Sequence, residues 1–274
     1  MTRFPSDCEP GPLSGTPSLL RRHWTFPARS RRAQLRRSLH GALEWLVCRF
    51  AIHGDHPVFA AEQFPWIRGV EAEWHSVRRE LDAVMVHRDA MPNFQDILRE
   101  VRGIQKDDDW KTFFLVGVGM NCSENAKRCP QTMKVLERIP GCTTAFFSIL
   151  SPGKHIPPHR GAWAGVLRLH LGLIVPEPAD ACRIRISDQV HTWKEGSCLV
   201  FDDTYNHQVS NDTDGYRVVL FVDFERPLHW PLAMWNHWLL NLAGLAPFLR
   251  EANARQEAAE RSFWARIATG ALQP

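Results

Sequence analysis

The stretch that decides the fold runs from Thr143 to Asp223 and reads TTAFFSILSPGKHIPPHRGAWAGVLRLHLGLIVPEPADACRIRISDQVHTWKEGSCLVFDDTYNHQVSNDTDGYRVVLFVD. It contains short apolar runs separated by Pro, Gly, Asn and Asp, a pattern typical of many short strands in a sandwich or barrel. The apolar runs are Ala145–Leu150, Val166–Val175, Cys198–Phe201 and Val218–Val222. The pattern predicts a mainly β protein.

Polar side chains interrupt these apolar runs at five positions: His159, Arg168, His170, His207 and Arg217. A charged or imidazole side chain inside a sandwich is unfavourable unless it is paired or binds a metal. The sequence therefore predicts a polar site inside the sandwich, between its strands.

The two histidines His159 and His207 each follow a turn at the edge of a strand-like run. A single strand histidine is more often a core residue, but two of them followed by Arg217 favour a site for non-haem iron, whose usual ligands are two histidines and one carboxylate. That carboxylate commonly lies two residues after the first histidine, where this chain has Gly161. The alternatives for the third position are a water molecule, Asp202, Asp203 and Asp223.

Four motifs, SPGKHIPPHRG, VLRLHLGLIVP, WKEGSCLVFDDTYNH and RVVLFVDF, occur in this order in the chain. Together they closely resemble the aspartyl/asparaginyl β-hydroxylase family of Fe(II)- and 2-oxoglutarate-dependent dioxygenases. The resemblance covers about residues 143–227 and extends more weakly back to Trp110. That family holds its metal with two histidines and no carboxylate, so Gly161 agrees with the family pattern.

The resemblance implies a role for each matched residue. His159 and His207 correspond to the iron ligands, and O2 is the further cosubstrate. The remaining matched residues hold 2-oxoglutarate: Arg217 with Ser148 at the distal carboxylate, and Arg168 with His170 at the metal-binding end. A guanidinium suits this task because it meets a carboxylate with two parallel hydrogen bonds.

The expected fold is a double-stranded β-helix, a cupin-like jelly-roll core of two antiparallel sheets with flanking helices. We expect a flexible basic arm over residues 1–37 and a helical part over 38–109 that packs on or beside the core. The dioxygenase domain is expected over 110–227. Apolar and then charged C-terminal helices are expected over 228–274.

Helical periodicity predicts individual helices over Ser38–Ile52, Glu71–His87 and Lys127–Ile139, and the charged segment Glu251–Ile267 reads as a further helix. The segment Trp110–Val118 reads as a strand. The apolar, Trp-rich stretch after Asp223 either covers a sheet edge or lies at a membrane interface.

The family contains several substrate classes. The segments WKTFFLVGVG and IPGCTTAFFSILSPGKHIP, the loop between Cys122 and Cys129, and the apolar tail resemble its bacterial lipid branch. The leading hypothesis is therefore hydroxylation of an acyl chain of lipid A or of an ornithine lipid. The alternatives are hydroxylation of Asp or Asn in a peptide or as a free amino acid, and a non-catalytic cupin-like binding module.

The charge pattern bears on location and partners. The net charge is only +3, but basic residues crowd together near the N-terminus: Arg21, Arg22, Arg29, Arg31, Arg32, Arg36 and Arg37. Such an arm is either solvated or contacts an anionic membrane; no nucleic-acid partner is expected. Seven cysteines without CxxC spacing and the lack of a signal peptide predict a cytoplasmic protein. The basic N-terminal region, with the resemblance to the lipid branch, predicts peripheral contact with the cytoplasmic face of the inner membrane.

Overall fold

A computed structural model describes residues 31–104 and 106–269. Most of the arm predicted over residues 1–37 lies outside the described residues. Within the described ranges, ten strands form the core: β1 (Val58–Phe59), β2 (Trp110–Val116), β3 (Cys142–Leu150), β4 (His155–His159), β5 (Val166–Ile174), β6 (Cys182–Ile186), β7 (Gln189–Thr192), β8 (Cys198–Phe201), β9 (His207–Asn211) and β10 (Arg217–Glu225).

Eight α-helices flank these strands in the described part of the chain: α1 (Arg31–Arg49), α2 (Ile67–Ala72), α3 (Trp74–Met85), α4 (Phe94–Ile97), α5 (Ser123–Arg128), α6 (Pro130–Leu136), α7 (Leu232–Ala243) and α8 (Pro247–Ala268). The last two agree with the predicted C-terminal helices. No helix among the described residues has the length and apolar character required to cross a bilayer.

The strands form two antiparallel sheets. The larger has the order β1-β8-β5-β10-β3-β2, and the smaller has the order β4-β9-β6-β7. Neighbours distant in sequence, such as β10 between β5 and β3, are the crossovers of a jelly roll. The predicted double-stranded β-helix core with flanking helices is confirmed.

Strands β5 and β10 show why the site lies between the sheets. Side chains alternate between the two faces of a strand. On β5, Leu167, Leu169 and Leu171 face the helices α2, α3 and α6 in one apolar cluster. Arg168 and His170 alternate with these leucines and therefore face the smaller sheet. On β10, Phe221 lies opposite His170 and joins the apolar cluster between the sheets.

The predicted helices differ from the structure in their bounds, and two of these differences have a clear physical cause. Helix α1 begins at Arg31 and not at Ser38, so residues 31–37 are helical and not part of a flexible arm. Arginine is a good helix former, and this segment contains neither Pro nor Gly. The helix predicted over Lys127–Ile139 is two helices, because Pro130 cannot continue α5 and instead occupies the first turn of α6.

A buried ion pair fixes the loop that precedes His207. The Arg226 guanidinium pairs with the Asp202 carboxylate, and it also donates a 2.6 Å hydrogen bond to the Ala164 carbonyl. Asp202 in turn accepts hydrogen bonds from the backbone N–H and the hydroxyl of Thr204, at 2.9 and 2.5 Å. Both charged partners are buried. The ion pair therefore connects the end of β10 to the segment that carries His207.

Replacing Arg226 by Met leaves the Asp202 carboxylate buried without its cation. We expect the free energy of unfolding to fall by about 3 to 5 kcal/mol, the usual result of breaking a buried pair. Urea denaturation measures this change. The double variant Arg226→Met, Asp202→Asn should recover much of the loss, since the pair is then removed together. Equal stability of the wild type and the single variant would contradict this role.

Candidate active site

The two sequence-predicted metal ligands lie side by side at one end of the smaller sheet. Strands β4 and β9 pair so that His159 is directly opposite His207. Their ring centroids are 4.1 Å apart, and the ring planes make an angle of 53°. A register shift between Ile156 and His159 aligns the two imidazoles, and bulges of this kind commonly re-aim a side chain at an active site.

The hydrogen bonds of both histidines leave the same ring nitrogen available for a metal. Nδ1 of His159 lies 2.9 Å from the Pro157 carbonyl, and Nδ1 of His207 lies 2.9 Å from the Tyr205 carbonyl. A carbonyl only accepts, so each Nδ1 carries the proton and each Nε2 keeps its lone pair. Burial lowers the pKa of His159 to about 4 and that of His207 well below its usual value. Both imidazoles are neutral, as metal ligation requires.

Arg217 is a deeply buried cation. Its side chain is 1% exposed, and among the described residues no carboxylate pairs with it. It donates a long 3.5 Å hydrogen bond to the Ser148 hydroxyl, and its guanidinium lies 4.7 Å from the Trp193 ring. Nε has no hydrogen-bond partner among the described residues, and burial lowers the pKa of Arg217 to about 10. A buried, uncompensated guanidinium is a strong indication of an anion-binding site.

Two groups beside Arg217 can also donate to an anion. The Ser148 oxygen already accepts from Trp110 Nε1 at 2.9 Å, which leaves its own O–H available as a donor. Nδ1 of His170 accepts from Trp193 Nε1 at 3.3 Å, so the proton of this neutral ring lies on Nε2. This Nε2 is buried without a partner among the described residues. Burial, with Arg217 nearby, holds the pKa of His170 well below its usual value.

Arg168, by contrast, is already neutralised by the protein. Its guanidinium makes two hydrogen bonds to Asp223, at 2.8 and 3.0 Å, and its Nη2 lies 2.7 Å from the Asp203 carboxylate. It also lies 4.1 Å from the Phe221 ring. The structure thus places Arg168 in the same cavity as both histidines but gives it two carboxylate partners. Its direct contact with a cosubstrate stays a prediction.

The position that usually supplies the third metal ligand has a steric reason to be glycine. A Cβ atom built on Gly161 would lie only 2.1 Å from the Asp203 carboxylate, and the Gly161 N–H donates a 2.7 Å hydrogen bond to the Asp203 carbonyl. Of the three aspartates considered as replacements, Asp202 is bound to Arg226 and Asp223 to Arg168. Asp203 keeps one oxygen without a partner among the described residues. Burial raises the pKa of Asp203 to about 7, Arg168 opposes the rise and Asp223 adds to it.

All six residues predicted from the sequence line one cavity, which lies between the sheets. The cavity is narrow, about 20 Å³, so a ligand larger than water requires the lining side chains to shift. Sequence reasoning did not identify several of its other lining residues: Trp110, Ile156, Ile184, Phe201, Val209 and Phe221. It also missed Trp193, which contacts both His170 and Arg217. Strand alternation could have suggested the aliphatic members; nothing local could have indicated the two tryptophans.

Comparison with known proteins shows the family to which this chain belongs. The family model for aspartyl/asparaginyl beta-hydroxylase matches residues 71–227, more than half of the chain. The chain therefore belongs to the aspartyl/asparaginyl beta-hydroxylase family, and the resemblance inferred from its motifs is confirmed. The family makes it an enzyme of the hydroxylase class.

The relatives of this chain include one enzyme named for a lipid substrate and one named for amino-acid substrates. An ornithine lipid ester-linked acyl 2-hydroxylase from Rhizobium tropici is 47% identical over 222 residues, which cover 81% of this chain and 79% of the relative. The human aspartyl/asparaginyl beta-hydroxylase is 33% identical over 166 residues, 59% of this chain but only 21% of the human protein. A solved Pseudomonas putida prolyl-4-hydroxylase has a TM-score of 0.34 and 14% identity, covering 56% of this chain and 87% of that one.

Replacing Gly161 by Ala would force the Asp203 carboxylate away from its present position. We expect the variant to lose roughly 1 to 3 kcal/mol of unfolding free energy, the usual range for overpacking. Urea denaturation measures this loss. Gly41→Ala is the control, because nothing lies within 4 Å of the added Cβ there. Adding Asp203→Ala to Gly161→Ala should relieve the overlap. Equal stability of Gly161→Ala and the wild type would refute the steric account.

Proposed function

We propose that this chain is an Fe(II)- and 2-oxoglutarate-dependent dioxygenase that hydroxylates an acyl chain of an ornithine-containing membrane lipid. The main support for 2-oxoglutarate as the cosubstrate is the buried guanidinium of Arg217, which has no carboxylate partner among the described residues. The main support for an ornithine lipid as the substrate is the 47% identity with an ornithine lipid ester-linked acyl 2-hydroxylase over most of both chains.

The residues present fit the metal. His159 and His207 would hold Fe(II) through their Nε2 atoms, because both Nδ1 atoms donate to carbonyls and both rings are neutral. Two imidazoles with further positions open to small ligands suit non-haem iron. Together with 2-oxoglutarate and O2, the iron supplies the chemistry that hydroxylates an unactivated C–H bond and yields succinate and CO2.

The protein's own side chains would bind and orient the cosubstrate. Arg217 offers parallel N–H donors and Ser148 an O–H donor to the distal carboxylate of 2-oxoglutarate. His170 would donate its Nε2–H at the other end of the molecule. Apolar neighbours, among them Ile184 and Phe201, line the remaining cavity and exclude water. A dry cavity strengthens each of these charge-assisted hydrogen bonds.

The relatives favour an ornithine lipid over lipid A, because the lipid enzyme that aligns over most of the chain is named for the former. The peptide or amino-acid substrate rests on the human relative, which is less similar and aligns over a fifth of its own length. We therefore retain hydroxylation of Asp or Asn as the second candidate. The same lipid experiment separates the two.

We predict that expression of this chain in a bacterium that makes ornithine lipids adds one oxygen atom to an acyl chain of that lipid. His159→Ala should abolish the product because it removes a proposed iron ligand. His155→Ala is the matched control, since this exposed histidine lies on the same strand and pairs with Asp212 at 2.7 Å. Mass spectrometry of total lipid extracts measures the product, and fragmentation locates the new oxygen.

Two results of this experiment would contradict the proposal. A product that persists in the His159→Ala variant would exclude the proposed metal site. Hydroxylation of a peptide or free amino acid by the purified iron enzyme, without reaction on ornithine lipid, would support the second candidate instead.

Removing the charge of Arg217 should raise the KM for 2-oxoglutarate. Losing one partner of a buried charge pair costs roughly 2 to 5 kcal/mol, so we expect the 2-oxoglutarate KM of Arg217→Met to rise at least about thirtyfold. Arg217→Lys should recover only part of the lost 2-oxoglutarate affinity, because an ammonium group cannot bind a carboxylate with two parallel hydrogen bonds. Succinate release against 2-oxoglutarate concentration measures this effect. Arg183→Met, at a half-exposed arginine on β6, is the control; an unchanged KM in Arg217→Met would refute the assignment.

A further inference from the structure

Helices α1 and α7 together expose a large apolar surface, called here the α1–α7 face. A groove of about 590 Å³ runs between the two helices, lined on one side by Leu46 and Phe50 and on the other by Met234, Trp235 and Trp238. The aromatic and aliphatic side chains around it are strongly exposed: Trp230 by 79%, Met234 by 62% and Trp238 by 59%. Contiguous apolar surface of this kind marks an interaction site.

Helix α1 contacts the core with one side and presents apolar residues to this face with the other. Leu35, Leu39 and Leu46 repeat at helical spacing on one side of α1, and Phe50, the residue after the helix, continues this row. Leu35 and Leu39 are exposed, and Phe50 is half-exposed. The other side of the helix holds Val47 and Cys48, which pack against Leu228 and Ala164 in a separate apolar cluster.

The charged residues of the two helices are mainly arginines. Helix α7 contains no charged residue, and the one acidic residue of α1, Glu44, is 3% exposed and paired with Arg160 at 2.6 Å. The remaining charged residues of α1 are arginines: Arg31, Arg32, Arg36, Arg37 and Arg49. Beside α7, the Glu225 carboxylate is paired with His237 at 2.7 Å. An apolar, Trp-rich surface next to an arginine-rich helix complements the anionic surface of a bilayer.

We propose that the α1–α7 face is a docking surface for an anionic lipid bilayer. Trp230, Met234 and Trp238 enter the interfacial region of the bilayer, and the exposed Arg49, whose guanidinium lies 6.0 Å from the Phe50 ring, contacts lipid phosphate. The favoured occupant is a bilayer and not a second copy of this chain, because a symmetric pairing would bring two arginine-rich helices together. The proposal goes beyond the hydroxylation reaction and does not depend on which molecule is hydroxylated.

Docking on this face would also fix the orientation of the metal site. The segment that follows His159 is bonded to both helices: Arg160 pairs with Glu44 of α1, and Trp163 Nε1 donates a 2.9 Å hydrogen bond to Asn236 of α7. The Asn236 amide donates in turn to the Gly165 carbonyl at 2.8 Å. The His159 strand is therefore held in a set position relative to the bilayer.

The test is flotation of the purified full-length chain with vesicles of phosphatidylcholine, with and without phosphatidylglycerol. We expect the protein to float with the anionic vesicles, and high salt to weaken this binding because it screens the arginines. The double variant Trp230→Ser, Trp238→Ser should bind about tenfold or more weakly, since it removes exposed interfacial anchors. Val86→Ser and Val190→Ser are controls at exposed apolar residues on other surfaces and should bind like the wild type.

Because Trp230 and Trp238 are exposed, the double variant should remain folded, and circular dichroism checks this. Failure of the wild type to float with anionic vesicles would overturn the proposal, as would equal binding by the double variant. Dimerisation that is lost in the double variant, without any vesicle binding, would show that a second copy covers the face. Since flotation involves no turnover, the result is independent of the proposed reaction.

Discussion

The burial of Arg217, which pairs with no carboxylate in the described part of the chain, is the constraint on which the site depends. A guanidinium this deep between two sheets is unfavourable unless a ligand supplies the opposite charge. The neighbouring groups lessen the cost but do not remove it: Trp193 presents its ring, Ser148 a hydroxyl and His170 a neutral imidazole. An anion that binds here stabilises the fold as well as the complex, because it binds the native state alone.

The two arginines of the cavity differ because the chain gives them different partners. Arg168 has two carboxylates, Asp203 and Asp223, whereas Arg217 has none among the described residues. Arg168 holds Asp203 beside Gly161, in the space that a side chain at position 161 would need. Packing alone thus disfavours a carboxylate side chain at position 161.

Many of the cavity residues could be predicted from the sequence, because they lie in motifs whose order and strand pattern are visible in the sequence alone. The pairing of His159 with His207 needs only two short strands and their turns, and the inward direction of Arg168 and His170 follows from strand alternation. Contacts between segments that are distant in sequence could not be predicted in this way. The bonds from Arg168 to Asp203 and Asp223, and the approach of Trp110 and Trp193, depend on the crossovers of the jelly roll. The sequence alone does not reveal the start of α1 at Arg31, because a run of arginines is also typical of a solvated arm.

A structure of the protein with Fe(II) and 2-oxoglutarate, determined under anaerobic conditions with anomalous data at the iron edge, tests the central claim most directly. The account predicts iron on the Nε2 atoms of His159 and His207 and a 2-oxoglutarate carboxylate on Arg217 and Ser148. Iron bound elsewhere, or a cosubstrate that leaves Arg217 without an anion, would contradict it.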